Sequence, residues 1–113
     1  PLQAYLASQA SSEYVCPLLG RYHAWKDANT QIDDEDSATG LIHSISDILQ
    51  LSNSRHHSKI MASSIRSRLH FKEALRAGSD VVTVPTNVLR EAFTHPLTSD
   101  GVEQFLKDMG LYE

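Results

Sequence analysis

The residues best placed to do chemistry are two arginines and a serine that sit just beyond short apolar runs. Arg21 closes the run Cys16-Pro17-Leu18-Leu19-Gly20-Arg21, and Ser64 and Arg66 close Ala62-Ser63-Ser64-Ile65-Arg66. A guanidinium fork can hold two phosphate oxygens at once, and a hydroxyl can donate to a third. Two such forks and one hydroxyl suit the phosphate of a sugar phosphate. Each set follows a strand-like run, which puts Arg21, Ser64 and Arg66 where a parallel strand gives way to its loop, the ligand-bearing end of an α/β barrel. Taken alone, the residues leave other readings open: Arg21 as a surface arginine in a loop, Arg66 as half of an ion pair at a helix start, Ser64 as an N-cap.

The elements that must carry these groups are legible in hydrophobic period and turn residues. Leu2, Leu6 and the alanines at positions 4, 7 and 10 form a helical stripe that ends near Ser11 and Ser12, after which Tyr14-Val15-Cys16 switches to β-favouring residues. Beyond Arg21 lies a polar stretch, read as loop, that holds Lys26 and has Asp33-Asp34-Glu35-Asp36 at its acidic centre. Leu41, Ile45, Ile48 and Leu49 then fall on one helical face. Residues 52–58 are polar, and Lys59-Ile60-Met61-Ala62 reads as a short buried strand. Over residues 68–77, Leu69, Ala74 and Leu75 keep helical spacing, and Gly78 is placed as a left-handed C-cap. Val81-Val82-Thr83-Val84 makes a third buried strand, halted by Pro85; Val88, Leu89, Ala92 and Phe93 make a brief helix stopped before Pro96. The last helix carries Val102, Phe105, Leu106 and Met109 on one face, with Asp100 and Glu103 in a capping-box-like arrangement. Strand and helix alternate three times, so the fold class is α/β, its short apolar parallel strands covered by helices as in a barrel or a doubly wound fold. Three strands cannot close a barrel, whose eight take about 250 residues.

The 113 residues fit one domain, and a hydrophobic content of 41% suffices for a core. A formal charge of −4 with pI near 5.8 disfavours nucleic acid or an acidic membrane as partner, since both would repel the chain at neutral pH. Cys16 is the one cysteine, so no internal disulfide can form and a reducing compartment, the cytoplasm, is expected. No apolar run approaches the roughly 20 residues that span a bilayer. No metal and no cofactor are expected. The adjacent His56 and His57 diverge on any regular element, and the acidic run lacks the alternation and glycine of a calcium loop. Cys16 reads as a small apolar filler, and His23 and His43 carry no usable pattern.

The run from Tyr14-Val15-Cys16 through Arg21, followed by Trp25, resembles the sixth-strand signature of transaldolases. Met61-Ala62-Ser63-Ser64-Ile65-Arg66 resembles their seventh-strand motif of small residues, serine, an apolar residue and arginine, and Val82-Thr83-Val84-Pro85 resembles the eighth strand. His95-Pro96-Leu97-Thr98, with Gly101-Val102-Glu103-Gln104-Phe105-Leu106, is similar to the tail of the small transaldolase and fructose-6-phosphate aldolase branch. Together these motifs cover nearly the whole chain. The resemblance implies the C-terminal part, strands six to eight, of a (β/α)8 TIM barrel. It implies an enzyme of the pentose phosphate pathway that transfers a dihydroxyacetone unit between sugar phosphates of the fructose 6-phosphate and sedoheptulose 7-phosphate type, through a lysine Schiff base. In that family the positions matching Arg21, Ser64 and Arg66 hold the substrate phosphate.

The implied chemistry needs a nucleophilic lysine on the fourth strand. Lys26 is read in a loop, Lys59 opens a strand at the wrong end, and Lys72 and Lys107 have the spacing of solvated helical faces. The expectation is therefore a single partial domain over residues 1–113, with the catalytic half preceding Pro1, no catalytic residue in this segment, and no activity from it alone. Leu18 stands where the family carries phenylalanine or a tyrosine that helps move protons; leucine has no proton to give, which weighs against the aldolase branch. The final helix has two places to pack, on its own barrel or on a neighbouring subunit of a homo-oligomer. The rival expectation is a non-catalytic or truncated module that at most binds sugar phosphates.

Overall fold

Three short apolar runs become the strands of one parallel sheet, and helices lie between them in the chain. The computed structural model describes residues 1–29, 40–51 and 58–111; the run Asp33-Asp34-Glu35-Asp36, His56 and His57 lie outside the described residues. Helix α1 (Leu2–Gln9) leads into β1 (Tyr14–Val15), which is followed by α2 (Leu19–Ala28) and α3 (Leu41–Leu51). Strand β2 (Lys59–Ala62) leads into α4 (Arg68–Arg76), and β3 (Val81–Val82) into α5 (Thr86–Ala92) and α6 (Pro96–Asp108). The sheet order is β1-β2-β3 and both pairings are parallel, with Val15 beside Ile60 and Ala62 beside Val82. Parallel neighbours need long crossovers, and helices supply them, as in other α/β proteins.

Burial follows the pleat and the helical period. In the central strand β2, Ile60 and Ala62 are buried while Lys59 is exposed. Leu41, Ile45 and Leu49 are buried along one stripe of α3, with Ile42 beside them. Val15, Leu19, Ile65, Ala74 of α4 and Val88 of α5 complete the same core. Helix α4 ends in a Schellman motif: Gly78 takes φ +83°, its N–H donates to the Leu75 carbonyl at 3.2 Å, and the Ser79 N–H donates to the Ala74 carbonyl at 3.2 Å.

The chain departs from its sequence pattern in four places. The stretch after Arg21 is helix α2 rather than loop, with Lys26 in its last turn. This helix buries Leu19 and Gly20 alone, so no apolar stripe marks it. The third strand ends at Val82, although the Thr83 N–H still reaches the Ala62 carbonyl at 2.9 Å. Cys16 lies beyond β1 and is exposed rather than packed. Helix α6 starts at Pro96, whose fixed φ suits the first helical position, and His95 Nδ1 caps it by accepting from the Leu97 N–H at 3.2 Å. Asp100 and Glu103 are therefore interior to the helix, where Glu103 pairs with Lys107 at 2.7 Å.

Among the described residues, two surfaces stay open. Strands β1 and β3 are the edges of the sheet, and a hollow of about 670 Å³ is lined by Ala4 and Ala7 of α1, Val15, Pro17, and Leu41 and Ile45 of α3, with Arg21, Tyr22 and Trp25 of α2 on its wall. Val102 and Phe105 of α6, and Met109 at its C-cap, are all exposed. The radius of gyration is 19.0 Å, against about 13 Å for a compact domain of this length. No helix among the described residues is long and apolar enough to cross a membrane.

Candidate functional site

Arg21, Ser64 and Arg66 come from neighbouring strand ends. Because β1 and β2 are parallel, the segments after both leave at one end of the sheet, and a bridge between Leu18 and Ser63 carries the pairing past the strands. Helix α2 has no side-chain cap of its own, so its first amides need outside acceptors. The segment between β2 and α4 supplies them. The Leu19 N–H donates to the Ser63 carbonyl at 2.9 Å, the Gly20 N–H to the Ser64 carbonyl at 2.8 Å, and the Arg21 N–H to Ser64 Oγ at 3.1 Å. Ser64 is left-handed, with φ +57°, at a cost of roughly 1 kcal/mol for a residue with a Cβ. That turn aims its carbonyl and its hydroxyl at α2 together.

Gly20 is what allows the approach. A Cβ at this position would overlap the Ser64 carbonyl oxygen and stand 2.9 Å from both Cγ and Cδ of Arg66. The aliphatic stem of Arg66 thus lies across Gly20, one residue from Arg21. Both arginines are exposed, and neither guanidinium pairs with a carboxylate among the described residues. The N-cap of α4 is Ser67 rather than Ser64. Ser64 Oγ already accepts from Arg21, so its O–H is left to donate outward. With the first amides of α2 engaged, an anion at this junction would meet side chains: two guanidiniums and a hydroxyl, in the positive field of a helix N-terminus.

A polar row crosses the same end of the sheet. Cys16 Sγ lies 2.9 Å from Ser63 Oγ, and Thr83 Oγ1 donates to Ser63 Oγ at 3.1 Å, so one side chain from beyond each strand takes part. The lysines are elsewhere. Lys59 is the first residue of β2, at the opposite end from Ser64, with Nζ 5.9 Å from the centre of the Tyr14 ring. Lys26 lies in the last turn of α2, Lys72 is exposed on α4, and Lys107 is paired with Glu103.

Sequence reasoning misses a pair of histidines behind Arg66. The Arg66 N–H donates to His70 Nδ1 at 3.2 Å, the His70 N–H donates to Ser67 Oγ at 3.1 Å, and His70 Nε2 meets His23 Nδ1 at 3.0 Å. The local signal was present: a side-chain acceptor three residues past an N-cap serine is the frame of a capping box, with histidine in the usual place of glutamate. His23, distant in sequence, had no such signal.

Burial lowers the pKa of His70 from the ordinary 6.5; His23 lowers it further, Glu73 opposes, and Arg66 lowers it again. Below 6.5 the unfolded chain then binds more protons at this position than the folded one. The stabilising contribution of neutral His70 is complete above pH 6.5 and is lost as pH falls through its lowered folded value. Urea midpoints should accordingly fall between pH 7.5 and 5.5, and by less in His70→Asn. An identical pH dependence in the variant would remove His70 from the account.

The fold and site define an α/β protein in which basic and hydroxyl groups gather at one end of a parallel sheet. The sequence profile of the Transaldolase/Fructose-6-phosphate aldolase family matches residues 1–111. Proteins described as "Probable transaldolase" from Hydrogenobaculum sp. (strain Y04AAS1) and Caulobacter vibrioides are 38% and 39% identical over 109 residues, each match covering 96% of this chain and 45% of the relative. One of the same description from Kosmotoga olearia is 38% identical over 112 residues, covering 98% of this chain and 46% of the relative. This chain belongs to the transaldolase/fructose-6-phosphate aldolase family. It spans a little under half the length of the curated relatives it matches.

Proposed function

We propose that this chain forms the phosphate-gripping end of a transaldolase-like (β/α)8 barrel, with Arg21, Ser64 and Arg66 holding the phosphate of a sugar phosphate. In this reading the protein transfers a dihydroxyacetone unit between sugar phosphates through a lysine Schiff base, and that lysine belongs to a strand other than β1, β2 and β3. The observation that carries the reading is the junction at Gly20. Ser64 Oγ is bonded to the Arg21 amide, the Arg66 stem crosses the same glycine, and both guanidiniums lack carboxylate partners among the described residues. The open edge of β1 and the apolar hollow lined in part by that strand suit flanking strands of a larger sheet.

Mechanistically, an anchored phosphate turns the attack of an amine on the sugar carbonyl into an intramolecular step. Binding energy at the non-reacting end aligns the reacting end. The intact protein that carries this chain should bind fructose 6-phosphate at least about 100-fold more tightly than fructose, given charge-assisted bonds of about 1.5–3 kcal/mol each. Borohydride reduction with fructose 6-phosphate should fix an adduct on a lysine other than Lys26, Lys59, Lys72 and Lys107. Equal affinity for fructose and its phosphate would remove the phosphate site, and an adduct on one of those four lysines would remove the division of labour.

A further inference from the structure

The pair His23 and His70 lies beside the phosphate site, behind the backbone of Arg66. Its ring bonds join the two histidines to each other and His70 to the backbone of Arg66. A backbone N–H can only donate, so His70 Nδ1 accepts and its proton is assigned to Nε2. That Nε2–H donates to His23 Nδ1, which places the proton of His23 on its own Nε2. The chain of donors runs one way, from Arg66 through His70 to His23, and it works only while both rings are neutral. A proton added at His70 Nδ1 would face the Arg66 N–H, and one added at His23 Nδ1 would face the His70 Nε2–H.

We infer that His70, backed by His23, is a positioning residue of the anion site: as a neutral imidazole held by the His23 ring it fixes the backbone of Arg66, and protonation of His70 releases it. The inference rests on the phosphate-site reading above. The groups acting on His70 are His23 from α2, Arg66 from the preceding loop and Glu73 from its own helix; β3 and α5, which also pack on α4, add none. Burial, His23 and Arg66 hold the ring neutral, with Glu73 opposed. His70 is 8% exposed.

Two measurements on the intact protein test this. Long-range nitrogen–proton NMR at pH 7.5 should show His70 as the neutral Nε2–H form; the Nδ1–H form or a charged ring would overturn the inference outright. Affinity for fructose 6-phosphate, measured at pH 8.0 and 5.5 for wild type and His70→Asn, removes the titration of the ligand itself when taken as a ratio. Asparagine keeps an acceptor near the Nδ1 position and does not titrate. Wild-type affinity relative to the variant should fall on acidification by up to about fivefold, the worth of one hydrogen bond. A flat ratio, with Arg66→Ala still weakening binding at pH 8.0, overturns the positioning role and leaves the phosphate site standing. If Arg66→Ala leaves the affinity at pH 8.0 unchanged, the phosphate-site reading itself fails and takes this inference with it.

Discussion

Gly20→Ala is expected to destabilise the protein by about 3 kcal/mol, the upper end for forcing one extra carbon into a filled space, and to disrupt Ser64 and Arg66 together. On an unobstructed helix the same change would gain up to about 1 kcal/mol, because alanine is the better helix former. The sign of the measured effect therefore decides between open space and close contact. The new methyl would overlap the Ser64 carbonyl oxygen, which is backbone and accepts from the Gly20 N–H at 2.8 Å. It cannot turn aside as a side chain could. Moving it breaks that bond, disturbs the left-handed turn at Ser64 and displaces the Arg66 stem, which lies at 2.9 Å. Urea unfolding should show a lower midpoint with an unchanged slope, and fructose 6-phosphate affinity should fall even where the variant is fully folded. A midpoint at or above wild type would mean that the β2–α4 segment does not approach α2 as described.

What the sequence made legible, and what it hid, divides along physical lines. Strand β2 was readable to the residue because Lys59-Ile60-Met61-Ala62 is short, apolar and bounded by polar residues, and it occupies the sheet centre where both neighbours fix its limits. Helix α3 was readable because its buried face repeats at helical spacing. Gly78 announced the end of α4 because that end needs a positive φ. Helix α2 was hidden for the opposite reason. Its stability comes from amides satisfied by another segment and from the burial of Leu19 and Gly20, with Tyr22 stacked on a half-exposed Trp25 at 6.0 Å. Such tertiary support leaves no periodic trace. The start of α6 is misread because Asp100 and Glu103 satisfy the capping-box pattern, whereas His95 and Pro96 satisfy the geometry five residues earlier. Of the candidate site, Arg21, Ser64 and Arg66 were visible through motif order. Their mutual placement through Gly20, and the backing of His70 by His23, depend on contacts more than forty residues apart in the chain.

Arg21→Ala is expected to weaken the binding of fructose 6-phosphate to the intact protein by about 2 to 5 kcal/mol, the range for truncating one partner of a buried charge pair. The free site argues for the lower half of that range, since both guanidiniums are exposed before a ligand arrives and part of their hydration must be given up on binding. Even 2 kcal/mol is roughly a thirtyfold rise in Kd. Arg66→Ala should cost at least as much, because it removes the stem lying across Gly20 as well as the fork. Arg66→Lys separates the two contributions: lysine keeps a stem and a charge but cannot make the bidentate contact. The single losses should not sum in the double variant, since both side chains share one phosphate. Because this energy aligns the distant carbonyl, kcat should fall along with the rise in KM, while affinity for unphosphorylated fructose stays as it was. If KM and Kd for sugar phosphates are unchanged in both alanine variants, the two arginines are surface residues and the phosphate is held elsewhere.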